Sequence, residues 1–292
     1  MKSKDYLELK EKVNHGDFQL PMNIYVGEFR NFFALYLHWH DEMEFIYIKQ
    51  GKGTLYLDLE FYDIHEGDFI LIKKDSLHYV IGDKISILKY EAVVFDLDML
   101  KNPLFDYCQL EFIEPMIKNE LHLAPIIKKC NNGYEVIMDY YNKIVKSYLK
   151  KEFGYQLEIK GLLFLLFFQI FNNKYAERIN ADSLNKNKKL DIIKKLIQYI
   201  KAHYNEPITV KELANIAEYS EYHFIRFFKA QTGKTCTQFI NSVRLEEAAR
   251  LLVTTKLSIT EIAYEVGFGD VSYFIKIFKK QFSDSPSNYR KK

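Results

Sequence analysis

Tyr222-His-Phe-Ile-Arg-Phe-Phe-Lys229 and Ser272-Tyr-Phe-Ile-Lys-Ile-Phe-Lys279 are two versions of one short stretch, set fifty residues apart. Upstream, Glu212-Leu-Ala214 matches Glu261-Ile-Ala263 at an offset of forty-nine, so the second copy carries one extra residue in its turn. Each copy reads as a short helix, a turn and a second helix opened by an N-cap residue, Ser220 in the first and Asp270 in the second. Gly267 suits the left-handed conformation that ends the helix before it. This is the pattern of a helix-turn-helix unit, present twice.

The second helix of each copy has two faces. Phe224, Phe227 and Phe228, and then Phe274, Ile277 and Phe278, fall at i, i+3, i+4 and should pack on a core. The opposite face carries Tyr222, Ile225, Arg226 and Lys229 in copy one, and Val271, Ser272, Ile275, Lys276 and Lys279 in copy two. Arg and Lys can bond guanine edges in a major groove, and small apolar groups can touch the thymine methyl. An ordinary solvated helix could look the same once, but the repetition favours double-stranded DNA as the partner. Exposed Ile225 and Ile275 point the same way, because a solvated face gains nothing from an aliphatic residue. Between the copies, Thr237 to Thr254 reads as one continuous helix with Phe239, Ile240, Val243, Leu245, Ala248, Leu251 and Leu252 apolar. It would fix the two units so that their second helices enter adjacent major grooves ~34 Å apart.

Composition sets the rest of the frame. A length of 292 residues suggests about two domains. A hydrophobic share of 48% and a charged share of 27% exclude a disordered chain, a collagen-like repeat and a coiled-coil rod. The net charge of +2 conceals a split: residues 1–185 hold 22 basic and 28 acidic side chains (−6), residues 186–292 hold 19 basic and 11 acidic (+8). A basic module is therefore attached to a mildly acidic one. Cys108, Cys130 and Cys236 are too few and too far apart for a disulfide framework or a zinc knuckle, and fit a reducing compartment. The N-terminal residues lack a signal-peptide-like apolar stretch, and the greasiest run, Leu162 to Phe171, is shorter than the ~20 residues a membrane span needs. A soluble cytoplasmic protein without a membrane partner is the expectation.

Residues 196–290 resemble the DNA-binding domain of the AraC/XylS family of bacterial transcription regulators. The resemblance rests on Ile208-Thr-Val-Lys-Glu-Leu-Ala214, on Ser220, His223, Phe224, Arg226, Phe228 and Lys229, and on Gly233, Arg244 and Ala248 through Leu252. It continues through Ile262, Ala263, Gly267, Phe268, Asp270, Ser272, Tyr273, Phe274, Phe278 to Lys280, Pro286, Tyr289 and Arg290. Two positions depart from the family pattern: Lys276 where Arg is common, which loses bidentate geometry, and Ser283 where Gly is usual, which alters a helix cap. The resemblance implies promoter DNA as partner, a homodimer, and RNA polymerase contact if the protein activates.

The acidic part resembles the two cupin motifs. His38-Trp-His40-Asp-Glu-Met-Glu44 is followed after six residues by Gly51; later come Gly67 and, after ten residues, His78, with Lys73 and Asp75 replacing the usual Pro and Gly. The implied fold is a small β-barrel over about residues 20–98 that senses a small-molecule effector. His38, His40, Glu44, Tyr56 and His78 are the effector-binding candidates by barrel-facing parity, with Trp39 at the mouth; core packing is the alternative for Trp39 and Tyr56. His38, His40, Glu44 and His78 are also a chemically suitable metal set, but such barrels in resembling regulators usually bind effector without metal, so no cofactor is expected. Helices are expected over 134–151 and 155–172, and Gly161 to Phe168 is apolar all round, suiting either a central core or a dimer interface.

These readings combine into an α+β multidomain chain: an N-terminal cupin β-barrel plus helices, then an all-α C-terminal domain with two helix-turn-helix units. The expected boundaries are 1–130 for the sensing domain, 131–180 for a helical dimerisation segment, 181–190 for a linker, and 191–292 for the DNA-binding domain. The expected function is that of an effector-controlled, sequence-specific transcription regulator and not an enzyme. The alternative is a metal-dependent cupin enzyme fused to a DNA-binding domain.

Overall fold

Short β-type runs broken by Gly and Asp fold, in the computed structural model, into strands that pair antiparallel throughout; the structure describes residues 15–29, 35–83, 87–104, 106–179 and 181–291. The strands are β1 (Met22–Phe29), β2 (Leu35–His38), β3 (Met43–Gln50), β4 (Lys52–Leu57), β5 (Glu60–His65), β6 (Phe69–Ile72), β7 (His78–Gly82) and β8 (Leu88–Phe95). They are followed by α1 (Glu114–Ile117), β9 (Leu121–Leu123) and β10 (Ile126–Ile127). One sheet runs β1-β8-β3-β6-β10, and a second runs β2-β7-β4-β5.

Two helices, α2 (Tyr134–Lys150) and α3 (Tyr155–Asn172), lie close to where the 3.6-residue period placed them. They cover one face of the five-stranded sheet, where Phe45 and Phe69 meet Tyr141 and Phe167. The alternate residues Ile46, Ile70 and Ala92 face the four-stranded sheet and share a core with Leu55, Leu57 and Val80. A strand covered on both faces has no polar side to show, which is why β3 and β6 read as near-continuous apolar runs.

The apolar-all-round run in α3 is buried on one side only. Ile159, Leu163, Leu166, Phe167 and Ile170 enter the core, while Leu157, Phe164, Leu165 and Phe168 are exposed. After α3 come β11 (Ala176–Arg178), which pairs with β9, and α4 (Ala181–His203). The polar stretch over 181–190, whose composition suits a linker or the solvated entry to a helix, forms the first turns of α4. The chain divides into two compact units with the break between Lys186 and Asn187, inside α4. No helix among the described residues is long and apolar enough to cross a membrane. All three cysteines are free thiols.

The second unit continues with α5 (Val210–Ile216), α6 (Glu221–Thr232), α7 (Cys236–Thr254), α8 (Ile259–Glu265), α9 (Val271–Phe282) and α10 (Pro286–Tyr289). The repeat is preserved in its capping chemistry. Thr209 and Ser258 open α5 and α8 in capping boxes with Glu212 and Glu261. Ser220 and Asp270 accept the first free amides of α6 and α9, from His223 and Tyr273. A Ser, Thr or Asp cap is worth about 1 kcal/mol over Ala, so four such caps matter for helices this short.

The one extra residue in the second copy is Gly269. Phe268 donates its amide to Ala263 just as Tyr219 donates to Ala214, so the helix ends are equivalent and the insertion falls between that bond and the Asp270 cap. The left-handed position of the turn is Gly267 in copy two but Glu218, at φ +58°, in copy one. The next such position reverses the pattern: α6 ends on Gly233 at φ +70°, whereas α9 ends on Ser283 at φ +58°. A side chain there crowds its own carbonyl at a cost of roughly 1–2 kcal/mol. Ser283→Gly should therefore stabilise the protein by about 1 kcal/mol in denaturant unfolding; unchanged or lowered stability would show that the Ser283 side chain compensates its own strain.

Candidate functional site

The buried stripes of α6 and α9 leave their opposite faces in solvent. Phe224, Phe227 and Phe228 are buried, as are Phe274 and Phe278, and Ile277 packs partly against the same core. Tyr222 is 73% exposed, Ile225 46% and Ile275 38%. Arg226, Lys229, Ser272, Lys276 and Lys279 are exposed beside them. The Arg226 guanidinium lies over the Tyr222 ring, 5.7 Å from its centre, within cation–π range. Val271, the first residue of α9, is half-buried, with part of its side chain packed against the core of the second unit.

Helix α7 carries both copies. Phe239 near its start packs edge-on against Phe228 of α6. Its later residues Leu245, Ala248, Ala249, Leu251 and Leu252 share a core with Phe268, Phe274 and Phe278. Arg244, midway, donates to the carbonyls of Tyr204 and Glu206 at 2.6 and 2.9 Å and lies over the Phe268 ring. The two exposed faces are therefore displayed by one packed body.

The second candidate site lies between the two sheets of the first unit. His38 and His78 are directly paired across β2 and β7, and their rings are 4.2 Å apart. His40, just past β2, lies 5.7 Å from the His38 ring and 5.2 Å from that of His78. One nitrogen from each of the three lies within 4.8 Å of the others. Glu44, on β3, turns with Ile46 toward the other sheet, and its Oε2 is 3.4 Å from His40 Nε2 and 3.2 Å from His78 Nε2.

Main-chain bonds fix how these rings are turned. His40 donates its Nδ1 proton to the Glu42 carbonyl at 3.0 Å, and His78 donates its own to the Ser76 carbonyl at 2.8 Å. In the neutral state each ring then presents Nε2 as a lone pair toward Glu44. Burial pushes the Glu44 carboxyl up, but hydrogen bonds and charge from His40 and His78 outweigh it and hold the group well below the usual carboxylate range. The turn that carries Ser76 is itself clamped, because Ser76 Oγ and the Leu77 amide both donate to Asp58, at 2.8 and 2.9 Å. Asp75, where the cupin motif has Gly, takes φ +61° in this turn.

Two expected effector residues are placed elsewhere. Tyr56 pairs with Tyr79 and Phe61 and its ring packs on both, on the face opposite Leu55 and Leu57, which enter the core between the sheets. Parity is available in the sequence: two leucines flanking a tyrosine claim the space between the sheets, and the tyrosine is buried on the other face against Phe61 and Tyr79. Trp39 is buried and not at an open mouth. Conversely, His15 was not foreseen. Its ring is 5.7 Å from that of His40, and its Nδ1 bonds the Tyr25 hydroxyl at 2.8 Å. Asn14-His15-Gly16 has no periodicity, so only the tertiary contact reveals it.

The model of the AraC-like ligand binding domain matches residues 29–167, and that of a helix-turn-helix domain matches residues 213–292. The chain belongs to the AraC family of transcriptional regulators. As an AraC-type protein it is a DNA-binding regulator with an N-terminal ligand-binding domain. It is similar to the uncharacterised regulator YdeC of Bacillus subtilis, 27% identical over 97% of this chain and 96% of that one. It is also similar to the transcriptional activator RhaS of Mannheimia succiniciproducens, 25% identical over 87% of this chain and 88% of the relative. Among solved structures it resembles ToxT of Vibrio cholerae, crystallised with an unsaturated fatty acid, at 20% identity over 92% and 94% of the two chains, with a TM-score of 0.44.

Proposed function

We propose that this AraC-type chain is a cytoplasmic, one-component regulator that binds promoter DNA through α6 and α9 and answers to a small molecule bound in its first unit. The observation that carries the reading is the pair of capped helices whose apolar faces are consumed by a shared core and whose outward faces combine basic and aliphatic groups. Tyr222, Ile225, Arg226 and Lys229 would meet one major groove, and Ser272, Ile275, Lys276 and Lys279 the next. Val271 contributes by holding the start of α9. A balance of only +8 on residues 186–292 implies weak sequence-independent attraction, so affinity rests on these placed groups. Relatives matched over most of their length are named as regulators, which favours a non-enzymatic chain. In this reading His38, His40, Glu44 and His78 form the polar part of the effector site, and effector binding shifts the promoter occupancy of the second unit. Where the regulator activates, RNA polymerase is the further partner.

A homodimer completes the proposal. Leu157, Gly161, Phe164 and Phe168 recur on the exposed side of α3 at spacings of four, three and four, with Leu165 beside them. That is the spacing of a seam that pairs with another helix, and an antiparallel two-fold axis midway between Gly161 and Phe164 would set Leu157 against Phe168 and Gly161 against Phe164. Phe164→Asp should convert the dimer to monomer in sedimentation at micromolar concentration; an unchanged dimer would place the interface elsewhere.

The DNA reading is tested at Arg226. Arg226→Ala should weaken binding to a selected site by about 1–3 kcal/mol while scarcely changing binding to random DNA. Equal loss on both would make Arg226 a phosphate contact and remove it from base reading.

A further inference from the structure

We infer that Phe153 of one chain seats on an aromatic shelf of a second copy, formed by Tyr107, Phe112 and Phe171, and that two such contacts lock the ends of the homodimer. The inference rests on the α3 dimer proposed above and goes beyond it, because it brings into the interface a loop and a shelf that lie outside the α3 seam.

The connection between α2 and α3 carries more apolar surface than a solvated loop needs. Phe153 is fully exposed, and Leu149 and Leu157 on either side of it are 69% and 78% exposed. Phe153 stands four residues before Leu157, so it continues the series Leu157, Gly161, Phe164 and Phe168 by one step beyond the start of the helix. At the other end of α3 the seam broadens. Phe171, three residues after Phe168, is half-buried and meets the Phe112 ring edge-on at 4.9 Å. Phe112, in the helical turn Gln109–Ile113, meets Tyr107 in the same way at 6.2 Å. Tyr107 and Leu110 at the rim of this shelf are exposed. A phenyl ring laid on it would gain both buried area and edge-to-face contact.

Symmetry brings loop and shelf together. The antiparallel axis that sets Leu157 against Phe168 also sets position 153 against position 172 of the other copy, beside Phe171, and does so at both ends of the dimer. Gly161 suits the same arrangement: a side chain there would meet nothing within 4 Å in its own chain, which leaves a notch for Phe164 of the other copy. Charge agrees. Lys146, Lys150 and Lys151 stand exposed before Phe153, whereas residues 106–114 hold Asp106, Glu111 and Glu114 and no basic residue. Lys118 and Arg178 answer Glu114 and Glu111 within the chain, at 3.1 and 2.9 Å. Asp106, which accepts from Asn102 and from the Gln109 amide, is the carboxylate placed to meet a lysine of the other copy. Size points the same way. A specific interface takes roughly 800 Å² from each partner, more than a seam of four positions supplies, and the loop and shelf widen it at both ends.

The test uses the full-length chain, by sedimentation equilibrium at micromolar concentration and by thiol cross-linking. Phe153→Ser should raise the dissociation constant of the dimer at least about tenfold, since each dimer loses two buried rings. Tyr107→Ser should raise it from the shelf side. Both residues are exposed, so circular dichroism should show both variants folded. Val26→Ser, at an exposed position on β1 outside loop, shelf and seam, should leave the constant unchanged. Phe153→Cys would bring a thiol to Cys108 of the other copy, which is exposed beside Tyr107. Diamide should then oxidise the two thiols to an intermolecular disulfide that Cys108→Ser abolishes and Cys130→Ser does not. An unchanged dissociation constant for Phe153→Ser in a dimeric protein, or a cross-link that runs through Cys130, overturns the lock and leaves the α3 seam standing. A wild-type chain that cross-links through Cys108 alone would set the two shelves against each other and overturn it as well. A monomeric wild-type chain removes the dimer and the lock together.

Discussion

Helix α7 is buried on more than one side, and the second unit is organised by that constraint. A helix with solvent on one flank needs a single apolar stripe. Between Phe239 and Leu252 the buried residues instead spread around the axis, including Ser242 and Glu247. Phe228 of the first copy meets α7 near its start, and the core containing Phe274 and Phe278 of the second meets it near its end. The distance and twist between the two exposed faces therefore follow from the length of one helix. Helices α6 and α9 each give an aromatic stripe to this core, which leaves their other faces free for the proposed contact with DNA.

The first unit solves a similar problem with a sheet. Covering β3 on one face by α2 and α3 and on the other by the second sheet removes water from both sides, so any polar group placed there must be satisfied internally. Glu44 is the acidic side chain on the inner face of that strand; His40 and His78 lie against it, and His38 lies beside those two rings. A cluster of this kind is costly to bury without purpose. Its place between the sheets, opposite the helix-covered face, is where a ligand-binding domain has room for chemistry.

Much of this was legible in the sequence, for identifiable reasons. The helix-turn-helix pair could be read because one copy checks the other: the offset of forty-nine becoming fifty located the insertion, and Ser220 and Asp270 announced the helix starts. The long helices α2, α3 and α7 followed from periodicity within a residue or two of their ends. A continuous strand parity through HxH and Glu44 does not hold: His38 ends β2, His40 lies past it and Glu44 is on β3 of the other sheet, so the fold and not local parity gathers them. What resisted was set by distant partners. Residues 100–130 form short pieces whose strands pair with β6 and β11, far along the chain, and no local pattern marks them. His15 reaches the cluster only through the fold. Glu218 and Ser283 hold left-handed backbone without glycine, so the turns they close were visible only through their partners in the other copy. Tyr56 takes the core-packing alternative, on the face away from the cluster, and its flanking leucines carry the parity that says so.

The central claim is that two rigidly linked helices read adjacent grooves of one DNA face. Hydroxyl-radical footprinting of the full-length protein on genomic fragments that it retains in selection measures this directly. The account predicts two protected patches about one helical turn, roughly 10 base pairs, apart on the same face for each bound chain. A single patch per chain, or uniform protection without periodicity, would contradict it.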